Sequence, residues 1–112
     1  MALDTVGDYL AQARVLLQDV ATPYRYSDVD IVTSLNFGIY EMYRLRPDIF
    51  IASIPAPAYT SGSLGTTVTL DIRFRLALLY FVCGYAHFRD EEATEDARAV
   101  AFTGLFRSML GP

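Results

Sequence analysis

RYSDVDIVTSLNFGIYEMYRLRPDIF, residues 25–50, decides the fold. It reads as a turn, a capped amphipathic helix and a proline stop. Ser27 stands as N-cap, with Asp28 and Asp30 in the first turn, where carboxylates favour the positive end of a helix. Ser27 and Asp30 also have capping-box spacing, with Asp shorter than the usual Glu. Val32, Leu35, Ile39, Met42 and Tyr43 then recur as a helical stripe. Arg44 and Arg46 suit the negative end, and Pro47 disfavours helical geometry at Arg46. The spacing predicts a helix over about 28–46. Gly38 costs about 1 kcal/mol relative to Ala inside it, so it either admits close approach of another helix or sits on an exposed face.

Working outward, residues 6–20 form the preceding helix, with Thr5 as N-cap and Asp8 at capping-box spacing. Val6, Leu10, Ala13, Leu17 and Val20 make its apolar face, leaving Gln12, Arg14 and Asp19 toward solvent. The short connection Ala21 to Tyr26 makes the two helices an αα-hairpin, with Tyr24 and Tyr26 at its closed end. Downstream, a third helix is expected over about 71–89 with Asp71 at its start. It is apolar on nearly all sides, as befits a central or covered helix. A fourth spans about 93–110, and Gly111-Pro112 follows it. Ala97, Val100, Ala101, Gly104, Leu105 and Met109 give that helix a small-residue face for tight contact. Phe102 and Phe106 lie on an adjacent face and are taken as interface anchors.

Residues 47–70 do not fit a helix. Pro47, Pro55, Pro57, Gly62 and Gly65 punctuate them, yet Phe50, Ile51, Ile54 and Tyr59 are too apolar for a free linker. A connection this long in so small a domain is functional or disordered. Residues 59–70 have room for a short β-hairpin across Ser61-Gly62-Ser63. The arm is expected to be ordered and to pack on a neighbouring molecule, the alternative being that it folds back over its own helices. The fold class is therefore all-α: a single domain over 1–112, a four-helix bundle of two αα-hairpins joined by a Pro/Gly/Ser-containing arm.

The bulk numbers exclude more than they select. The chain has 112 residues, 53% hydrophobic and 20% charged, with a net charge of −4. That balance is globular, and it argues against a free-standing nucleic-acid binder, which carries a basic face. All nine basic residues are Arg, which suits planar bidentate contacts but also follows from codon bias in a GC-rich genome. The single Cys, Cys83, allows no internal disulfide and reads as a small core residue. The single His, His87, has no second ligand at metal spacing. Asp90, Glu91, Glu92, Glu95 and Asp96 lack the spacing of a calcium loop and read as a solvated helix start. No nucleophile has a base at a suggestive spacing, and no phosphate loop follows a strand. No catalytic residue, cofactor or metal is therefore expected, and no enzyme. No signal segment is read, and the longest apolar run, Leu76 to Cys83, is too short for a membrane span.

The RYSD start, the Leu35-Asn36 pair and the RLRPD exit resemble the head-to-tail adaptor (connector, or head-completion) proteins of tailed bacteriophages. The likeness extends through TVGDYLAQARVLLQD, ALLYFVCGYAHFRDEEATEDA and AFTGLFRSMLG in the same order. It implies a structural virion protein at the capsid–tail junction, present in the host cytoplasm before assembly. Its subunits would form a ring, commonly twelve-fold, bound to the portal protein and to tail or nozzle proteins, extending the DNA channel. An acidic chain beside DNA then makes sense, since a weakly attractive lumen lets DNA slide. With the sequence ending at Pro112, portal contact is expected at the arm, the helix ends or a terminus. The expected assembly contacts are Arg44 and Arg46, Phe50, Ile54 and Tyr59 on the arm, and Phe102 and Phe106. The alternative is a small helical DNA-binding or regulatory module in which Arg44 and Arg46 meet phosphates.

Overall fold

The computed structural model describes residues 3–19, 21, 24, 26–50, 58–89 and 96–110. The chain is all-α. Its elements are α1 (Val6–Leu16), α2 (Asp28–Leu45), a one-turn 3-10 helix η1 (Pro47–Phe50), α3 (Ile72–Arg89) and α4 (Asp96–Leu110). The segment expected to open the fourth helix before Asp96 lies outside the described residues.

The helix starts follow from their caps. Asp8 N–H donates to Thr5 Oγ1 at 3.2 Å, and Thr5 N–H returns to Asp8 Oδ2 at 3.0 Å, closing the capping box of α1. The Thr5 and Asp4 amides together hold the Asp8 carboxyl below its usual range. Ser27 Oγ accepts Asp30 N–H at 3.1 Å, and Asp71 Oδ1 accepts Arg73 N–H at 2.9 Å. Helix α2 stops at Leu45, just before Pro47, as the proline requires.

Helix α1 ends four residues earlier than the apolar periodicity predicts. Asp19 N–H donates to Arg14 C=O and Gln18 N–H to Val15 C=O, the paired bonds of a Schellman turn. Gln18 takes the left-handed position, φ 58°. That reversal turns Asp19 inward, so Arg14 and Asp19, expected at the surface, are each only 7% exposed. Arg14 Nη1 donates to Asp19 Oδ2 at 2.8 Å and to Tyr26 C=O at 2.9 Å, and Nη2 reaches Asp28. Its guanidinium lies 3.8 Å above the Tyr24 ring. One buried arginine thus ties the end of α1, the connection and the start of α2.

Helix α3 packs against α1, α2 and α4, which is why it is apolar nearly all round. Arg46 lies over Phe74, Gly38 against Phe81, and Phe37 against Tyr85, so α2 and α3 run antiparallel. A Cβ on Gly38 would stand 2.6 Å from Leu78 Cδ1 and 2.9 Å from Phe81 Cδ1. Gly38 is therefore a close-approach site and not an exposed one. Gly38→Ala is expected to lose about 1–2 kcal/mol, because the overpacking penalty exceeds the helix-propensity gain. A lower urea midpoint with an unchanged slope would show it.

The arm departs from expectation in its described parts. Residues 58–70 form no hairpin across Ser61-Gly62-Ser63. Turns occur there instead, with Ser63 N–H on Thr60 C=O and Thr66 N–H on Ser63 C=O. The extended piece pairs with the N-terminal segment: Val6 N–H donates to Thr66 C=O at 2.9 Å and Val68 N–H to Asp4 C=O at 2.8 Å, with a bridge between Thr5 and Thr67. Val68 and Leu70 are buried in the core. This half of the arm folds onto its own chain, the alternative to packing on a neighbour. Backbone groups of a covering segment need partners, and the start of α1 supplies them.

Candidate assembly surface

Helix α2 shows two faces. Ile31, Leu35, Gly38, Ile39 and Met42 are buried. On the opposite side Val29, Thr33, Phe37, Tyr40 and Arg44 share one stripe by helical spacing, and Val29, Phe37 and Tyr40 are exposed apolar or aromatic groups, Tyr40 by 54%. Phe37 is braced from behind by Tyr85, ring centroids 5.4 Å apart. Helix α4 also has two faces, and their roles are the reverse of those expected. Phe106 is 1% exposed and meets Phe81 edge to face, centroids 4.9 Å apart. Phe102 is half-buried and stacks on Tyr80 at 6.1 Å. The aromatic pair thus faces α3, because two rings bury more apolar area than alanine and glycine can. On the small-residue face Ala101 and Gly104 are exposed, with Leu105 and, at 64%, Val100, whereas Met109 packs against the core. Phe106 is therefore a core residue and not an interface anchor.

The other expected contacts among the described residues sit on α2, η1 and the returning arm. Arg44 is exposed and donates through Nε to Glu41 at 3.1 Å. That bond holds the Glu41 carboxyl below its usual range, and Arg107 adds to the pull. Arg46 grips Asp48 with both Nε (3.0 Å) and Nη2 (2.8 Å) and donates through Nη1 to Leu110 C=O. The RLRPD exit is thus a staple from the end of α2 to the end of α4. Phe50 is half-buried, its ring 5.9 Å from that of Tyr43. Tyr59 is half-buried, its backbone bonded both ways to the Asn36 side chain, at 3.1 and 3.0 Å. The Leu35-Asn36 pair therefore serves core and arm in turn. Ile54 lies outside the described residues.

Of the expected contacts among the described residues, Arg46 is joined to the end of α4 through Leu110, and Tyr59 to the middle of α2 through Asn36. Among the described residues the exposed large apolar groups are Val29, Phe37 and Tyr40 on the outer face of α2, Val100 and Leu105 on α4, and Val15, Tyr24, Leu45 and Ile72 elsewhere; sequence reading had missed the first five as a group. The available signal was the spacing of Val29, Thr33, Phe37, Tyr40 and Arg44, a second stripe on the side of α2 away from its core stripe.

Other chemistry is sparse among the described residues. No group of three or more His, Cys, Asp or Glu side chains is placed to hold a metal. A groove of about 400 Å³ lies between η1 and the returning segment 67–71. Its ionic groups are engaged within the chain, Asp71 with Arg73 and Arg75 with Asp4. The Tyr9 hydroxyl is buried without a hydrogen-bond partner, and burial raises its pKa. No helix among the described residues is long and apolar enough to cross a membrane. In comparison with known proteins, the chain matches no protein-family model, no curated protein and no solved structure.

Proposed function

We propose that this chain is a non-catalytic structural subunit of a tailed-phage head-to-tail adaptor ring, seated on the portal and extending the DNA channel toward the tail. The observation that carries the reading is the pair of exposed apolar faces on α2 and α4. Exposed apolar groups gathered on one face mark a site of association, and here such groups stand on two helices of a small all-α chain. The order of two helices, a non-helical stretch and two further helices supports the reading. The arginines fit the reading as well. Arg14, Arg44, Arg46, Arg73 and Arg75 each face a carboxylate of their own chain, a poor arrangement for gripping phosphates and an acceptable one for a surface past which DNA moves.

Sedimentation with the portal protein encoded in the same genome tests the proposal. The two are expected to travel as one complex of several adaptor copies per portal. Independent sedimentation at all mixing ratios would overturn it.

A further inference from the structure

Resting on that assembly reading, we propose that the outer edge of the returning segment 66–70 is a strand-acceptor site, where an extended, uncharged segment of the portal protein adds as a further β-strand. The inner edge of the segment is taken. Val6 N–H donates to Thr66 C=O and Val68 N–H to Asp4 C=O, and these two bonds bracket the pair Thr5 and Thr67. In an antiparallel ladder a pair so bracketed turns its own N–H and C=O groups away from the partner strand. Thr5 directs its outward N–H to the Asp8 carboxylate. For Thr67, no hydrogen bond among the described residues engages the N–H or the C=O, and the residue is exposed. Thr69 is exposed by the same alternation, while Val68 and Leu70 are buried. The Tyr59 hydroxyl, its pKa raised by burial and pulled back by the Thr69 amide, marks the far end of this outer edge.

The edge favours pairing and is not guarded against it. Thr66-Thr67-Val68-Thr69-Leu70 is β-branched at four of its five positions. It carries no Lys, no Pro and no charge of either sign, the devices that keep exposed edges apart. The chemistry of such an edge specifies its occupant. Main-chain donors and acceptors at strand spacing are matched by another extended main chain, and pockets beside them select its side chains. The groove of about 400 Å³ along residues 67–71 supplies the second part, with Ile49 and Phe50 across it. Its charged lining, Asp71 and Arg75, is already paired with Arg73 and Asp4. A neutral side chain fits there, whereas a charged one meets no free counter-ion among the described residues.

Position selects the portal over a neighbouring copy. The edge stands where α1 and α3 begin and α2 runs into η1, at one end of the helices. The exposed groups of α2 and α4 lie along the helix flanks instead. With the helices along the channel, flanks meet neighbours around the ring and an end meets the partner stacked on it, so the two surfaces do not compete.

Amide hydrogen exchange, read by mass spectrometry with residue-resolving fragmentation, tests the site on the full chain alone and on its portal complex. Thr67 N–H is expected to exchange freely in the free subunit and to slow at least about tenfold in the complex. Val68 N–H, bonded to Asp4, is protected in both. Thr67→Pro deletes the outward donor without touching the inner ladder. It is expected to weaken portal binding at least about tenfold at unchanged helical content, because the partner's acceptor is left unpaired. Thr67→Val keeps the N–H and binds as the unaltered chain does. If Thr67→Pro fails to fold, the exchange measurement on the unaltered chain decides alone. Protection of Thr67 in the free monomer, or on concentration without portal, would overturn the assignment, the edge then being covered by its own chain or by a second copy. A portal complex in which Thr67 stays unprotected and Thr67→Pro binds fully would overturn the edge site and leave the adaptor reading standing. No complex at any mixing ratio would overturn both.

Discussion

Arg14→Ala is expected to cost about 3–5 kcal/mol of folding stability, the range seen when one partner of a buried ion pair is removed. The size follows from what the arginine leaves behind. Asp19 is 7% exposed and accepts from Arg14 and from Tyr26 N–H. Tyr26 C=O, Asp28 and the Tyr24 ring all face the same guanidinium. Truncation takes the guanidinium away from a buried carboxylate and releases the α1–α2 connection at once. Urea unfolding followed by circular dichroism reads the loss. Arg14→Ala with Asp19→Ala should be less damaging than the sum of the two single changes, because the pair is then removed together. A loss under about 1 kcal/mol for Arg14→Ala, the worth of an exposed pair, would mean that the cluster is not buried as described.

Phe106→Ala should be comparably severe, about 3–5 kcal/mol, the usual range for emptying a buried phenylalanine site. Phe106 packs into α3 against Phe81, and Leu110 beside it is also buried. Phe102→Ala should cost less, since that ring is only half-buried. Thermal unfolding of the single variants separates a core role from an interface role. An interface anchor would leave the free subunit stable and abolish only assembly; a core residue lowers the melting temperature of the subunit itself. Unchanged stability in Phe106→Ala would return the ring to the candidate interface.

Much of this fold was legible in local sequence. The Ser27 cap and the Pro47 stop bracket α2 because both act through neighbouring backbone groups. Thr5 and Asp8 mark the start of α1 for the same reason. The end of α1 was hidden because Gln18, and not Gly, occupies the left-handed position. What places it there is an ion pair whose outward-looking residues, Arg14 and Asp19, gave no sign of burial. The arm was hidden because its partners, Asp4 to Gly7, lie some sixty positions away in the chain, and no local alternation announces such a pairing. Helix α4 was ambiguous in a different way. Both its aromatic face and its small-residue face were apolar enough to be the inner one, and the larger area decided. That choice moved the candidate surface from Phe106 to Val100, Gly104 and Leu105. On α2 the outer stripe was present in the sequence but overshadowed by the core stripe beside it.

Cryo-electron microscopy of the subunit mixed with the portal protein of the same genome tests the central claim most directly. The account predicts a closed ring of this subunit, coaxial with the portal, with the exposed apolar groups of α2 and α4 covered in the assembly. A subunit that stays monomeric at high concentration and leaves the portal bare would contradict it.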